Sequence, residues 1–121
     1  MKGQTDHQDR IEFLSARVRY FSNLTVSQQQ LVLKFKQIEW GSMQYLAYFG
    51  GEPILRPPPK VKRIIRLKRP SSRKPQLPTD FELKQEYISF FAYLEQQQNG
   101  CIKNIEIRDG LPAEMSVEEI E

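Results

Sequence analysis

The sequence predicts an α+β protein. A helix followed by a β-hairpin is written twice, the two units packing as one pseudo-twofold domain with an extra helix at the N-terminus. Three observations predict this. The first is self-similarity at a constant offset of 59 residues, which sets Gly41 on Gly100, Gly51 on Gly110 and Pro53 on Pro112 without a gap. Apolar positions agree at the same offset: Leu24 with Leu83, Val32 with Phe91, Phe35 with Leu94, Met43 with Ile102, and Leu46 with Ile105. A fixed offset is the mark of a repeated supersecondary unit. The second is helical spacing of apolar residues ahead of each glycine. The third is a turn dipeptide inside each unit, Gly50-Gly51 and Asp109-Gly110.

Residues 1–22 form a polar tail and an amphipathic helix. Ile11, Leu14, Val18 and Phe21 recur at helical spacing and predict a helix over roughly 8–21. Residues 23–67 form the first unit. Thr25 with Gln28 makes a capping box, and Leu31, Phe35 and Ile38 follow on one face. The helix should end near Trp40-Gly41, with the glycine as its stop. "SMQYLAYF" is a strand, Gly50-Gly51 a turn and "PILRP" the return. "VKRIIRL", Val61 to Leu67, is expected as a third strand with some side chains facing inward.

Residues 68–78 are a basic linker with three prolines and two serines. Residues 79–121 form the second unit and an acidic tail. Thr79 with Glu82 offers a second capping box, and Leu83, Tyr87, Phe90, Phe91 and Leu94 line its helix. "CIKNIEIR" is a strand. Asp109-Gly110 is a two-residue hairpin turn, in which both residues need positive φ. Pro112 puts the return strand at an edge or beside a bulge. One helix and one hairpin bury little area alone, so the units are expected to share one core.

Charge is segregated along the chain. The net charge is +3, but residues 56–74 carry nine basic groups and no acid, while residues 75–121 carry ten acids and three bases. The nine are Arg56, Lys60, Lys62, Arg63, Arg66, Lys68, Arg69, Arg73 and Lys74. They are candidate contacts to phosphate or to an acidic partner.

No catalytic constellation emerges. The single histidine, His7, and the single cysteine, Cys101, leave no Cys/His metal set and no thiol with a base. Cys101 is expected as a small apolar core residue. "FGGEP" sits in a hairpin and lacks a P-loop lysine, so no phosphate cradle and no cofactor are expected. The many glutamates are expected on solvated faces. Metal binding and enzymatic activity are therefore not expected. Tyr45, Tyr48 and Phe49 cluster on the first hairpin, as core or as an aromatic contact surface. Trp40 should close its helix.

"LKFKQIEWGSMQYLAYFGGEPILRP" and "GCIKNIEIRDGLPAEM" together resemble the small YezD-like bacterial proteins, a family of uncharacterised function. The resemblance spans about residues 25–60 and 84–121 and implies two tandem copies of that helix-and-hairpin unit in a bacterial protein. It departs in the proline after each turn glycine, and in Gly50 where the family has a turn aspartate. It implies no catalytic residue.

The function expected is a small non-catalytic protein-interaction or regulatory module, with a protein partner or self-association. The alternative is a nucleic-acid-binding regulator, DNA or RNA, that uses segment 56–74. The polar start, the lone cysteine and the lack of an apolar run of about 20 residues favour a cytoplasmic protein with no membrane association.

Overall fold

Two helices of thirteen residues lie against one face of a five-stranded antiparallel sheet, which makes the protein α+β. The structure, a computed structural model, describes residues 17–67 and 80–118. In chain order the elements are α1 (Val26–Ile38), β1 (Gly41–Phe49), β2 (Glu52–Ile54), β3 (Lys60–Arg63), α2 (Gln85–Gln97), β4 (Gly100–Arg108) and β5 (Leu111–Val117). The sheet order is β2-β1-β4-β5, with β3 also on β1. β2 takes Ala47–Phe49 and β3 takes Gly41–Gln44, so the two short strands share the side of β1 away from β4.

The core lies between the helices and the inner face of β1 and β4. Met43, Leu46 and Tyr48 are buried on β1, and Ile102, Ile105 and Ile107 on β4. Strand side chains normally alternate with a period of two. Here the buried positions step by three, from Met43 to Leu46 and from Ile102 to Ile105. On β1 the extra residue is absorbed at Tyr45, whose φ is 60°. On β4 the ladder to β5 shifts register between Ile102 and Asn104. Helix α1 covers this face with Leu31, Val32, Phe35 and Ile38. Helix α2 adds Tyr87, Phe90, Phe91 and Leu94. Phe35 meets Phe90 edge to face, with centroids 5.6 Å apart, and joins the two helices.

Helix α1 begins as its sequence predicts. Thr25 Oγ1 accepts from the Gln28 N–H, and the Gln28 side chain accepts from the Thr25 N–H at 3.0 Å. Its end differs from the expectation. The left-handed residue is Glu39, φ 64°, not Gly41, and in the second unit it is Gln98, φ 71°. Contacts between the units hold these non-glycine residues in place. The Glu39 carbonyl accepts from the Gly110 N–H at 2.9 Å, and the Gln98 carbonyl accepts from the Gly51 N–H at 2.9 Å. Each hairpin turn is thus tied to the end of the other unit's helix. Both turns have two positive-φ residues, Gly50 (61°) with Gly51 (79°) and Asp109 (54°) with Gly110 (76°), as a two-residue hairpin requires. Within the second unit a buried hydrogen bond holds the same turn, from the Tyr87 hydroxyl to the Gly110 carbonyl at 2.6 Å.

Other expectations are corrected. Helix α2 begins at Gln85, with Lys84 as an N-cap that makes no side-chain cap bond. Thr79 lies outside the described residues. Glu82 forms an isolated bridge with Tyr20 and an ion pair with Arg19, so it is not available for a capping box. This stretch is claimed by tertiary pairing. Phe21 N–H donates to the Phe81 carbonyl, Leu83 N–H donates to the Arg19 carbonyl, and the Phe21 and Phe81 rings stack 4.9 Å apart. The predicted N-terminal helix mostly falls on residues outside the description. Among its described residues Arg17 is helical and Phe21, at its end, begins a 3₁₀ turn, Phe21–Asn23. The third strand stops at Arg63, opposite Gly41 where β1 begins. Beyond that, Ile64 N–H donates to the Trp40 carbonyl, and Val61, Ile64, Ile65 and Leu67 are all exposed.

Candidate interaction surface

The outer face of the sheet carries no helix. Ser42, Gln44, Tyr45, Ala47 and Phe49 are its residues on β1, and Cys101, Lys103, Asn104, Glu106 and Arg108 are those on β4, none of them buried. An antiparallel sheet can leave one face to water when that face is polar. Much of this one is polar, but one end is not. Phe49 is 69% exposed and Tyr45 61%. Ile54 on β2 stands opposite Ala47, and Ala47 stands opposite Cys101. These side chains form an exposed aromatic and aliphatic patch on a rigid scaffold.

The three aromatic candidates therefore separate. Tyr48 points inward, is buried, and opposes Gly100, where a Cβ would lie 2.7 Å from the Tyr48 hydroxyl. Burial, with Tyr93 and Cys101 nearby, raises its phenol pKa. Tyr45 and Phe49 are on the open face. Cys101 is also there and exposed, which corrects its expected place in the core. The three-residue step on β4 is the reason, since it reverses which positions face inward.

The basic candidates form one edge. Lys60 is opposite Gln44 and Lys62 opposite Ser42, so both point to the open face, while Arg63 follows Gly41 toward the helix side. Arg56 lies in the β2–β3 connection. The Arg66 guanidinium stacks 4.7 Å from the Trp40 ring centroid. Lys68, Arg69, Arg73 and Lys74 lie outside the described residues. Among the described residues, no acid pairs with Arg56, Lys60, Lys62, Arg63 or Arg66. Glu52 on β2 is taken by the Thr25 and Ser27 hydroxyls, and other acids gather on β4 and β5. Glu114 on β5 faces Glu106 on β4. Arg108 reaches Glu106 at 2.5 Å and Glu114 at 4.0 Å, and Lys103 reaches Glu118 at 3.3 Å. The open face is thus basic along β3 and mixed but acid-bearing along β5.

The sequence did not single out Ile54 or Glu106 as members of this surface. Strand pairing supplies them: Lys62, Ser42, Glu106 and Glu114 lie on one row across the sheet. Among the described residues no three His, Cys, Asp or Glu side chains gather as a metal-binding group, and no helix is long and apolar enough to cross a membrane.

No protein-family model matches the chain, and neither does any curated protein or solved structure.

Proposed function

We propose that the chain is a small non-catalytic protein-interaction module that docks through the open face of its sheet. In this reading it is built from a duplicated helix-hairpin unit around a pseudo-twofold axis between β1 and β4. Several observations support the duplication. Val26 and Gln85, which start the helices, are 59 residues apart, as are Gly41 and Gly100, which start the long strands. The same offset relates the positive-φ residues Glu39 to Gln98 and Gly50 to Asp109. It also exchanges the strand pairs Gly41 with Ile107 and Tyr48 with Gly100.

The observation that carries the interaction reading is the exposed Tyr45–Phe49 end of an otherwise polar sheet face. A second copy of the chain is the partner that fits. In a face-to-face pair the twofold axis can run along the strands or across them. An axis along the strands, between β1 and β4, brings Phe49 and Ile54 over the same end of the partner copy. It also sets the basic β3 edge of each copy over the β5 edge of the other, with Lys62 above the Glu106–Glu114 row. An axis across the strands sets β3 over β3 and the apolar end over the charged end, which repels. Aligned sheets pack about 10 Å apart with a small angle from their twist, and one isologous contact closes as a dimer.

Sedimentation velocity over a concentration series tests this. The expected result is a monomer–dimer equilibrium that Phe49→Ser weakens by about tenfold or more, the effect of losing an aromatic anchor. Phe49 is too exposed for this change to unfold the chain. A wild-type chain that stays monomeric, or a dimer indifferent to Phe49→Ser, counts against it.

The unpaired cations favour a second reading, nucleic-acid binding along β3. Phosphate contacts from Arg56, Lys60, Lys62, Arg63 and Arg66 would give sequence-independent affinity that falls steeply with salt. A salt titration with duplex DNA and with single-stranded RNA decides it. Absence of binding at low salt removes this reading.

A further inference from the structure

A different surface lies at the edge of the sheet. β5 is the last strand, paired only with β4, so one side of its backbone from Leu111 to Val117 has no strand partner among the described residues. Unpaired edges of this length are templates for another strand. The opposite edge is guarded. There β2 is three residues long and contains Pro53, Pro57–Pro59 follow, and β3 presents Lys60, Lys62 and Arg63. β5 has one proline, Pro112, beside the turn, and then runs free.

Alongside that free edge is a cleft of about 430 Å³ between α2 and β5. Phe90, Tyr93, Pro112 and Met115 give it an apolar lining and Glu86 supplies a carboxylate, while Glu114 borders it on β5 with its side chain toward the open face, opposite Glu106. A strand added to β5 would point every second side chain into this cleft, and the others toward the open face of the sheet. Glu86 has no cationic partner among the described residues, and Glu114 has only the long contact to Arg108.

We propose that the cleft between α2 and β5 takes an extended peptide carrying lysine or arginine and aliphatic residues, which pairs with β5 as an added strand. Main-chain bonds to β5 hold the peptide, the apolar lining takes its aliphatic side chains, and basic side chains are selected by Glu86 in the cleft and by Glu114 on the open face. The pattern required is that of the chain's own residues 60–67, Lys-Val-Lys-Arg-Ile-Ile-Arg-Leu. The site shares Glu114 with the open face of the proposed function, but Glu86 and the apolar lining are on the helix side of the sheet.

The test is a titration of the isotopically labelled full chain with that eight-residue peptide, followed by amide chemical shifts. Two control peptides are used. One has every lysine and arginine replaced by glutamate, and the other has alternate backbone nitrogens methylated. The expected result is saturable shifts in residues 85–93 and 111–117. Both controls should bind at least about tenfold more weakly, and Glu86→Lys should cost the basic peptide about the same factor. Phe49→Ser should leave this binding unchanged, which separates the two surfaces. The proposal is overturned by no saturable shift, by equal binding of either control peptide, or by shifts confined to the open face.

Discussion

At Gly110 two constraints meet in one residue. Its φ is +76°, and a Cβ there would lie 3.3 Å from the Cα of Lys36. The backbone of α1 is the obstacle, so no side chain can swing aside. Gly110→Ala should therefore destabilise the fold by about 1–2 kcal/mol, the cost of a left-handed residue with a Cβ, as read by urea denaturation. Gly50 has a similar φ of +61° but nothing within 4 Å. The matching residue of the other turn is Asp109, which adopts φ 54°. Gly50→Asn should change stability by no more than about 0.5 kcal/mol. A second single-residue test concerns Asp80. It accepts from the Ser22 hydroxyl at 2.7 Å and from the Ser22 N–H at 2.9 Å, and these bonds hold its carboxyl below the ordinary 3.8. The unfolded chain then binds more protons between the two values. The contribution of Asp80 is complete above 3.8 and is lost as pH falls through the lower folded value. The stability gap between wild type and Asp80→Asn should shrink on acidification through that window, and a gap independent of pH would refute the clasp.

Elements were legible in the sequence to different depths. Helix α1 was readable because its signals are local: Thr25 and Gln28 cap it, and Leu31, Phe35 and Ile38 mark its buried face. The turns were readable because two positive-φ residues need special residue types. The start of α2 was not, since Thr79 and Glu82 imitate a capping box while the chain around Glu82 pairs with Tyr20 far away in sequence. The faces of β1 and β4 were not legible either. A step of three between Met43 and Leu46 breaks the alternation that would have exposed Tyr45 and Cys101 to reasoning from pattern. The candidate surface was half legible: its residue types stood out, but not which side of the sheet they occupy. Helix α2 also offers a test of how its own hairpin is held. Tyr87 reaches the Gly110 carbonyl through a fully buried hydroxyl bond, and burial drives its phenol pKa up. Tyr87→Phe leaves that carbonyl unpaired and should cost about 1–3 kcal/mol in thermal or urea unfolding.

For the whole molecule, the sequence divided charge into a basic middle and an acidic end, and left open whether they meet. Among the described residues, their strands are held apart. β3 and β5 take opposite edges of the sheet, Arg66 rests on Trp40, and Glu118 pairs with Lys103. An exposed ion pair contributes only about 0–1 kcal/mol, yet a row of them can set the orientation of a docked partner. The proposed dimer uses this separation twice, once at each edge. Charge exchange tests it most directly. One variant carries Lys60→Glu and Lys62→Glu, and the other Glu106→Lys and Glu114→Lys. Each alone would meet like charge in a second copy of itself and should sediment as a monomer. Mixed, each acidic edge faces a basic one, and the two should sediment as a heterodimer. Variants that self-associate as well as the wild type, or that fail to pair when mixed, would contradict docking through the open face.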